Sequence, residues 1–159
     1  MNQNKESPCK PQEGLFTAIS AGFFLLLVGA IFVITPNLLD AIMDFFGDIS
    51  IVNVPNTDAM FLGPELPLSH ITVYQAVGQF SIAWSILQVV MLALRFIVHS
   101  SWQKRSETVG NLVYWTGAAV LIQTFLIENT QWFAFWSIIL IIIGVSLIAR
   151  AAVMAISRI

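Results

Sequence analysis

Residues 71–98, ITVYQAVGQFSIAWSILQVVMLALRFIV, carry no charge before Arg95. As a helix rising about 1.5 Å per residue, the stretch is long enough to cross a hydrocarbon core roughly 30 Å thick. It also holds Gln75, Gln79, Ser81, Ser85 and Gln88. An amide or hydroxyl facing lipid without a partner costs about 1 to several kcal/mol, so these groups are expected to face protein or water. The stretch reads as a membrane crossing with an unusually polar interior.

Composition agrees with that reading. Hydrophobic residues make up 57% of the 159-residue chain and charged ones only 10%, against about a quarter in soluble domains. The net charge of −2 and the scatter of seven Lys and Arg exclude the basic stripe that a nucleic-acid partner requires. A single cysteine, Cys9, excludes an intrachain disulfide, a CxxC redox pair and a cysteine-built zinc site.

Beyond residue 98 comes a polar connection over residues 99–108, with Lys104 and Arg105, and then a further apolar run over 109–127. In that run Gly110, Gly117 and Thr124 recur every seven residues, as do Tyr114, Leu121 and Glu128, which predicts a close-packing seam. Residues 128–131 are too few for anything but a reversal, so the next helix, over 132–156, is an antiparallel neighbour. Trp132, Phe133 and Trp136 open it with an aromatic belt. Small residues at seven-residue spacing, Ser137, Gly144 and Ala151 here and Gly22 and Gly29 upstream, suit bundle packing.

Upstream of residue 71, the segment 47–69 contains Pro55, Gly63, Pro64 and Pro67 and no sustained period, which predicts a loop. Its Phe61, Leu62, Leu66 and Leu68 predict that it folds back on the helices or meets a partner. Ser69 is placed to cap the helix that follows. Residues 37–46 fit a surface helix, with Thr35 as its cap, Pro36 in its first turn, and Leu38, Leu39, Ile42, Phe45 and Phe46 on its apolar side. Asp40, Asp44 and Asp48 recur every fourth residue on the wet face. Residues 16–34 form a first crossing, and residues 1–14 a polar, disordered, cytoplasmic tail.

The expected fold is therefore an all-α integral membrane protein. Four transmembrane helices, over about 16–34, 71–98, 109–127 and 132–156, form one bundle domain over 15–159, with a short extracytoplasmic amphipathic helix. All seven Lys and Arg fall in the amino tail, the second connection or the carboxyl end, and six of nine acids fall in the other two connections. By the positive-inside rule both termini are expected to be cytoplasmic and the chain to be a multi-pass protein of the cell membrane.

Steps of three and four residues place Tyr74, Gly78, Ser81, Ser85, Gln88 and Arg95 on one face of the 71–98 helix. The candidate polar face is Tyr74, Ser81, Ser85 and Gln88, and its role is expected to be interhelical hydrogen bonding. Arg95 and Arg150, near the ends of their helices, are candidate headgroup or anion contacts, with Glu107 or Glu13 as possible ion-pair partners. No HExxH motif, Gly-rich phosphate loop or intramembrane aspartate pair occurs, and the two histidines lie too far apart to share a haem. No catalytic residue, cofactor or metal ligand is expected. The expected function is non-catalytic: an accessory or scaffolding subunit in the lipid bilayer, bound to a membrane-protein partner or to copies of itself. The alternative is a small oligomeric transporter or channel for a polar solute.

Overall fold

The structure, a computed structural model, describes residues 10–156 apart from Thr130, with side chains from Gly14 onward. Helix α1 spans Lys10–Ile34, α2 Leu38–Gly47, α3 Ile71–Ile97, α4 Trp102–Leu121 and α5 Trp132–Ile156. Four stretches, Gly14–Ile34, Pro67–Ile97, Trp102–Glu128 and Trp132–Ile156, are helices long and apolar enough to cross a membrane. α1 starts at Lys10, so residues 10–14 are helical and not part of a disordered tail; residues 1–9 lie outside the described residues.

The helices pack in the order α1, α3, α4, α5, each chiefly against the next. Along this row the buried apolar side chains form three clusters. Phe16 of α1 meets Leu87 and Met91 of α3 near one end, and Ile31 meets Ala76 and the Leu38 of α2 near the other. The third core joins Tyr74 to Leu121, Ile122, Leu126 and Phe135. The seam on α4 explains its tight contact with α5: a Cβ on Gly117 would lie 2.8 Å from Ile142 Cδ1, and one on Gly110 would lie 3.3 Å from the Ser146 carbonyl oxygen. Gly22, Gly29 and Gly144 have nothing within 4 Å of a Cβ, so those small-residue repeats play no part in packing within the chain.

α4 begins seven residues earlier than hydropathy predicts. The supposed connection over 99–108 is mostly its first two turns, and only residues 98–101 link α3 to α4. Two hydroxyls there bond within the helix end. Ser106 Oγ donates to the Gln103 carbonyl at 2.7 Å, and Thr108 Oγ1 to that of Lys104 at 3.0 Å. Arg105 is buried with its guanidinium over the Phe96 and Trp102 rings, at 4.7 and 5.0 Å, a cation–π arrangement that hydropathy cannot register. At its far end α4 widens into a π-helical segment, Ile122–Glu128.

The segment between α2 and α3 is also more regular than a loop. β1, Ile49–Asn53, pairs antiparallel with β2, Met60–Pro64, with Ile49 opposite Pro64 and Asn53 opposite Met60. This hairpin is a small two-stranded addition to a mostly helical chain. Its strands are short and β-branched on one side, and its prolines sit at the tip and the base, where a missing N–H is harmless. At the tip Asn56 takes the left-handed conformation, φ 62°, and Thr57 Oγ1 donates to the Val54 carbonyl.

Two expected caps are displaced. The cap of α2 is Asn37, φ 54°, and not Thr35, whose N–H still belongs to α1 through the Ile31 carbonyl; asparagine tolerates that left-handed geometry better than threonine. Ser69 turns back to donate to the Leu66 carbonyl, and a 3-10 turn, Pro67–His70, leads into α3. Asp48 lies just past the end of α2, its N–H still bonded to the Asp44 carbonyl at 3.0 Å.

Candidate functional site

On the polar face of α3 the two serines are satisfied and the tyrosine and glutamine are not. Ser81, 1% exposed, donates to the Val77 carbonyl at 2.8 Å, and Ser85 donates to that of Ser81 at 2.8 Å. Both hydroxyls are thus paired within their own helix, the arrangement that lets serine sit at membrane depth. Tyr74 is buried in the core with α4 and α5, its ring 6.2 Å from Phe45 and 6.4 Å from Trp132, and its hydroxyl has no hydrogen-bond partner.

Gln88 differs from these. Its side chain is only 8% exposed, and it makes no hydrogen bond to any described residue. It borders a cavity of about 190 Å³ between α1, α3 and α4. Ser20 of α1, Arg95 of α3, and Thr108 and Asn111 of α4 share the wall, with Glu107 at the rim. Trp84 and Met91 complete it.

Charge gathers around this cavity. Arg95 donates to the Lys104 carbonyl at 2.6 Å and lies 5.6 Å over the Phe16 ring. Glu107 accepts from Lys104 Nζ at 3.2 Å and from Arg150 at 3.3 Å, which ties α4 to α5. Arg95 and Arg150, paired in the sequence reading as anion contacts, therefore meet the same cluster through different partners: Arg150 through a carboxylate, Arg95 through a backbone oxygen.

Trp84, on the cavity wall, belongs to a cluster of aromatic rings. Trp84 stacks on Phe80 at 5.8 Å with an 8° interplanar angle, and meets Phe23, Phe24 and Trp115 within about 6 Å. Such offset and edge contacts are individually favourable and collectively rigid.

At the opposite end stands a second polar cluster that sequence reading did not assemble. His70 Nε2 lies 2.8 Å from Asp48 Oδ2, and the same oxygen accepts the Leu66 N–H at 2.9 Å. These two hydrogen bonds, the backbone one foremost, hold the Asp48 carboxyl below its ordinary range. The regular spacing of the three aspartates disguised this role. Phe45 lies edge-on to His70 at 5.2 Å, and Trp132 Nε1 donates to the Leu62 carbonyl at 3.3 Å, so the hairpin is seated on the start of α5. Among the described residues no group of three His, Cys, Asp or Glu side chains is placed to hold a metal ion.

The four apolar helices give the chain the make-up of a helical membrane protein. Comparisons with known protein families, with curated proteins and with solved structures find no match to it.

Proposed function

We propose that this protein is a non-catalytic accessory or scaffolding subunit that binds other membrane proteins through the exposed faces of its helices. One observation carries the reading. Gln75 and Gln79 stand one turn apart on the exposed side of α3, in line with the exposed Ile82 and Ile86, and neither amide has a hydrogen bond to a described residue. Gln79 lies about 12 Å along the helix from Ile71. An unpartnered amide facing lipid there costs about 1 to several kcal/mol, whereas a polar group on a second helix satisfies it.

Three further features suit a partner. α1 and α5, the outer members of the row, leave most of their surface uncovered. Met60, Leu62, Leu66 and Leu68 project from the hairpin and the turn after it. Leu39, Met43 and Phe46 form a second apolar strip on α2, facing away from the helices. The distribution of Lys and Arg supports a cell-membrane location with both termini cytoplasmic and the hairpin outside.

Purification from native membranes in mild detergent, followed by identification of co-purifying proteins, tests the reading. A second membrane protein, or a further copy of this chain, is expected at near-stoichiometric yield and is expected to be lost in the Gln75→Leu, Gln79→Leu double variant. Recovery of the wild type as a lone monomer would sink the proposal. A pathway for a polar solute is the weaker reading, because Ser81 and Ser85 are self-satisfied. Solute flux into reconstituted vesicles that disappears in Gln88→Leu would reverse that preference.

A further inference from the structure

One face of α3 is left bare by the rest of the described chain. Gln75, Gln79, Ile82, Ile86, Val89 and Ala93 are all exposed, and they follow one another in alternating steps of four and three residues. That spacing lines up a single stripe along a helix and is the seam by which two helices pack side by side with a left-handed twist. The other sides of α3 are occupied. Ala76 and Leu87 belong to clusters with Ile31 and Phe16 of α1, and Tyr74 to the cluster with Leu121 of α4.

The order of residues along the stripe says what fits it. The two amides come first, one turn apart, and Ile82, Ile86, Val89 and Ala93 follow without a charge. An amide offers both N–H donors and a carbonyl acceptor, so it is its own complement. The bias of Lys and Arg favours one orientation for every copy in the membrane, and copies inserted alike bring identical residues to identical depths. Gln75 then meets Gln75 and Gln79 meets Gln79, with no charge on the stripe to set two copies against each other. A foreign helix satisfies both amides only if it carries polar groups at both of those depths.

We propose that a second copy of this chain occupies the stripe, its α3 parallel to the first across a two-fold axis that runs along the membrane normal. Each Gln75 and Gln79 donates to the side-chain carbonyl of its counterpart, and Ile82, Ile86 and Val89 pack against their equivalents. A two-fold contact of this kind uses the same patch on both chains and closes at two. The amides also fix the register, because a slip of one turn sets one of them against Ile82. The proposal rests on the accessory reading and deepens it, by giving that docking face a copy of the chain as its partner.

The test uses the full chain, purified and reconstituted alone in phospholipid vesicles at high dilution in lipid. Copies labelled at Cys9 with donor and acceptor fluorophores are expected to show energy transfer that saturates as protein is added, and Gln79→Leu is expected to weaken association at least tenfold. Gln75→Leu provides a second variant; both positions are exposed, so both variants keep the packing within the chain. The contact face is read separately, in a Cys9→Ser background, by copper-phenanthroline oxidation of single cysteines. Ile82→Cys and Ile86→Cys are expected to link two copies. Val77→Cys, at a position 46% exposed but bordering the groove shared with α1 and α2, is expected to link them at least tenfold more slowly.

Absence of energy transfer in the wild type reconstituted alone overturns the proposal. If purification from native membranes then still yields a different membrane protein that is lost in the Gln75→Leu, Gln79→Leu double variant, the accessory reading stands and only the copy is excluded as its partner. A lone monomer in both settings overturns both readings. Linking of Val77→Cys as fast as Ile82→Cys, or undiminished transfer in both leucine variants, puts the contact on another face and overturns the proposal as well.

Discussion

One carboxylate oxygen joins the two ends of the hairpin: Asp48 Oδ2 lies 2.8 Å from His70 Nε2 and 2.9 Å from the Leu66 nitrogen. Asp48 closes α2 and His70 immediately precedes α3. The contact therefore fixes where the chain leaves one helix and enters the next, with Ile49 and Pro64 paired just inside it.

That contact should make the hairpin end sensitive to acid. The Asp48 pKa is lowered in the fold, so its stabilising contribution is complete above the unfolded aspartate value of about 3.9 and is lost as pH falls through the folded value beneath it. Asp48→Asn keeps the shape and removes the ionised form. Unfolding of wild type and variant, followed from pH 7 to pH 2.5, should show a lower Tm for the variant at neutral pH and a gap that closes at the acid end. A gap of constant size would mean that the charge of Asp48 contributes nothing.

Close packing between α4 and α5 gives a second prediction. A Cβ at position 117 meets Ile142 Cδ1 at 2.8 Å and Cγ2 at 2.9 Å, and isoleucine, branched at Cβ, has little rotamer freedom in a helix. Gly117→Val should destabilise by about 1–3 kcal/mol through overpacking. Gly144→Val, with nothing within 4 Å, should stay within about 0.5 kcal/mol of wild type. Detergent unfolding curves that ranked the two variants equally would contradict the assigned helix order.

Much of this architecture is visible in the sequence, for reasons that also explain what is not. α5 is contained in its apolar run from Trp132 to Ile156 because no polar turn interrupts it. α4 is misjudged by seven residues because Arg105 is buried by Phe96 and Trp102, a contact made in three dimensions by residues that hydropathy scores separately. The hairpin is hidden by its prolines, which mark its tip and base and not an irregular loop. Spacing on α3 gathers Ser81, Ser85 and Gln88 on one face, but it cannot show that two hydroxyls bond within the helix while the amide has no bond to a described residue. Asp48 and His70 are 22 residues apart, and no local pattern joins them.

The seat of the hairpin on α5 can be loosened at one atom. A Cβ on Gly63 would lie 2.9 Å from Trp132 Cδ1 and Nε1. The indole cannot retreat easily, being packed against Phe45 at 5.8 Å and Trp136 at 5.8 Å. Gly63→Val should therefore push β2 off the ring and break the Trp132 bond to the Leu62 carbonyl. Amide exchange over residues 49–64 should rise at least tenfold, a change of about 1.4 kcal/mol in local opening, with α3 to α5 unaffected. A uniform increase across the helices would assign Gly63 to global stability instead.

Orientation can be read from single thiols, since Cys9 is the one cysteine in the chain. The bias of Lys and Arg predicts that residue 9 lies on the cytoplasmic side and the hairpin tip on the other. An impermeant maleimide should label Cys9 in inside-out vesicles and not in intact cells. In a Cys9→Ser background, Asp58→Cys, at an exposed position in the turn between β1 and β2, should show the reverse. Reversed labelling of both sites would invert the orientation, place the Gln88 cavity in the outer leaflet and leave its chemistry unchanged. Labelling of both sites from one side would require an even number of crossings between residues 9 and 58, which the single span Gly14–Ile34 does not provide.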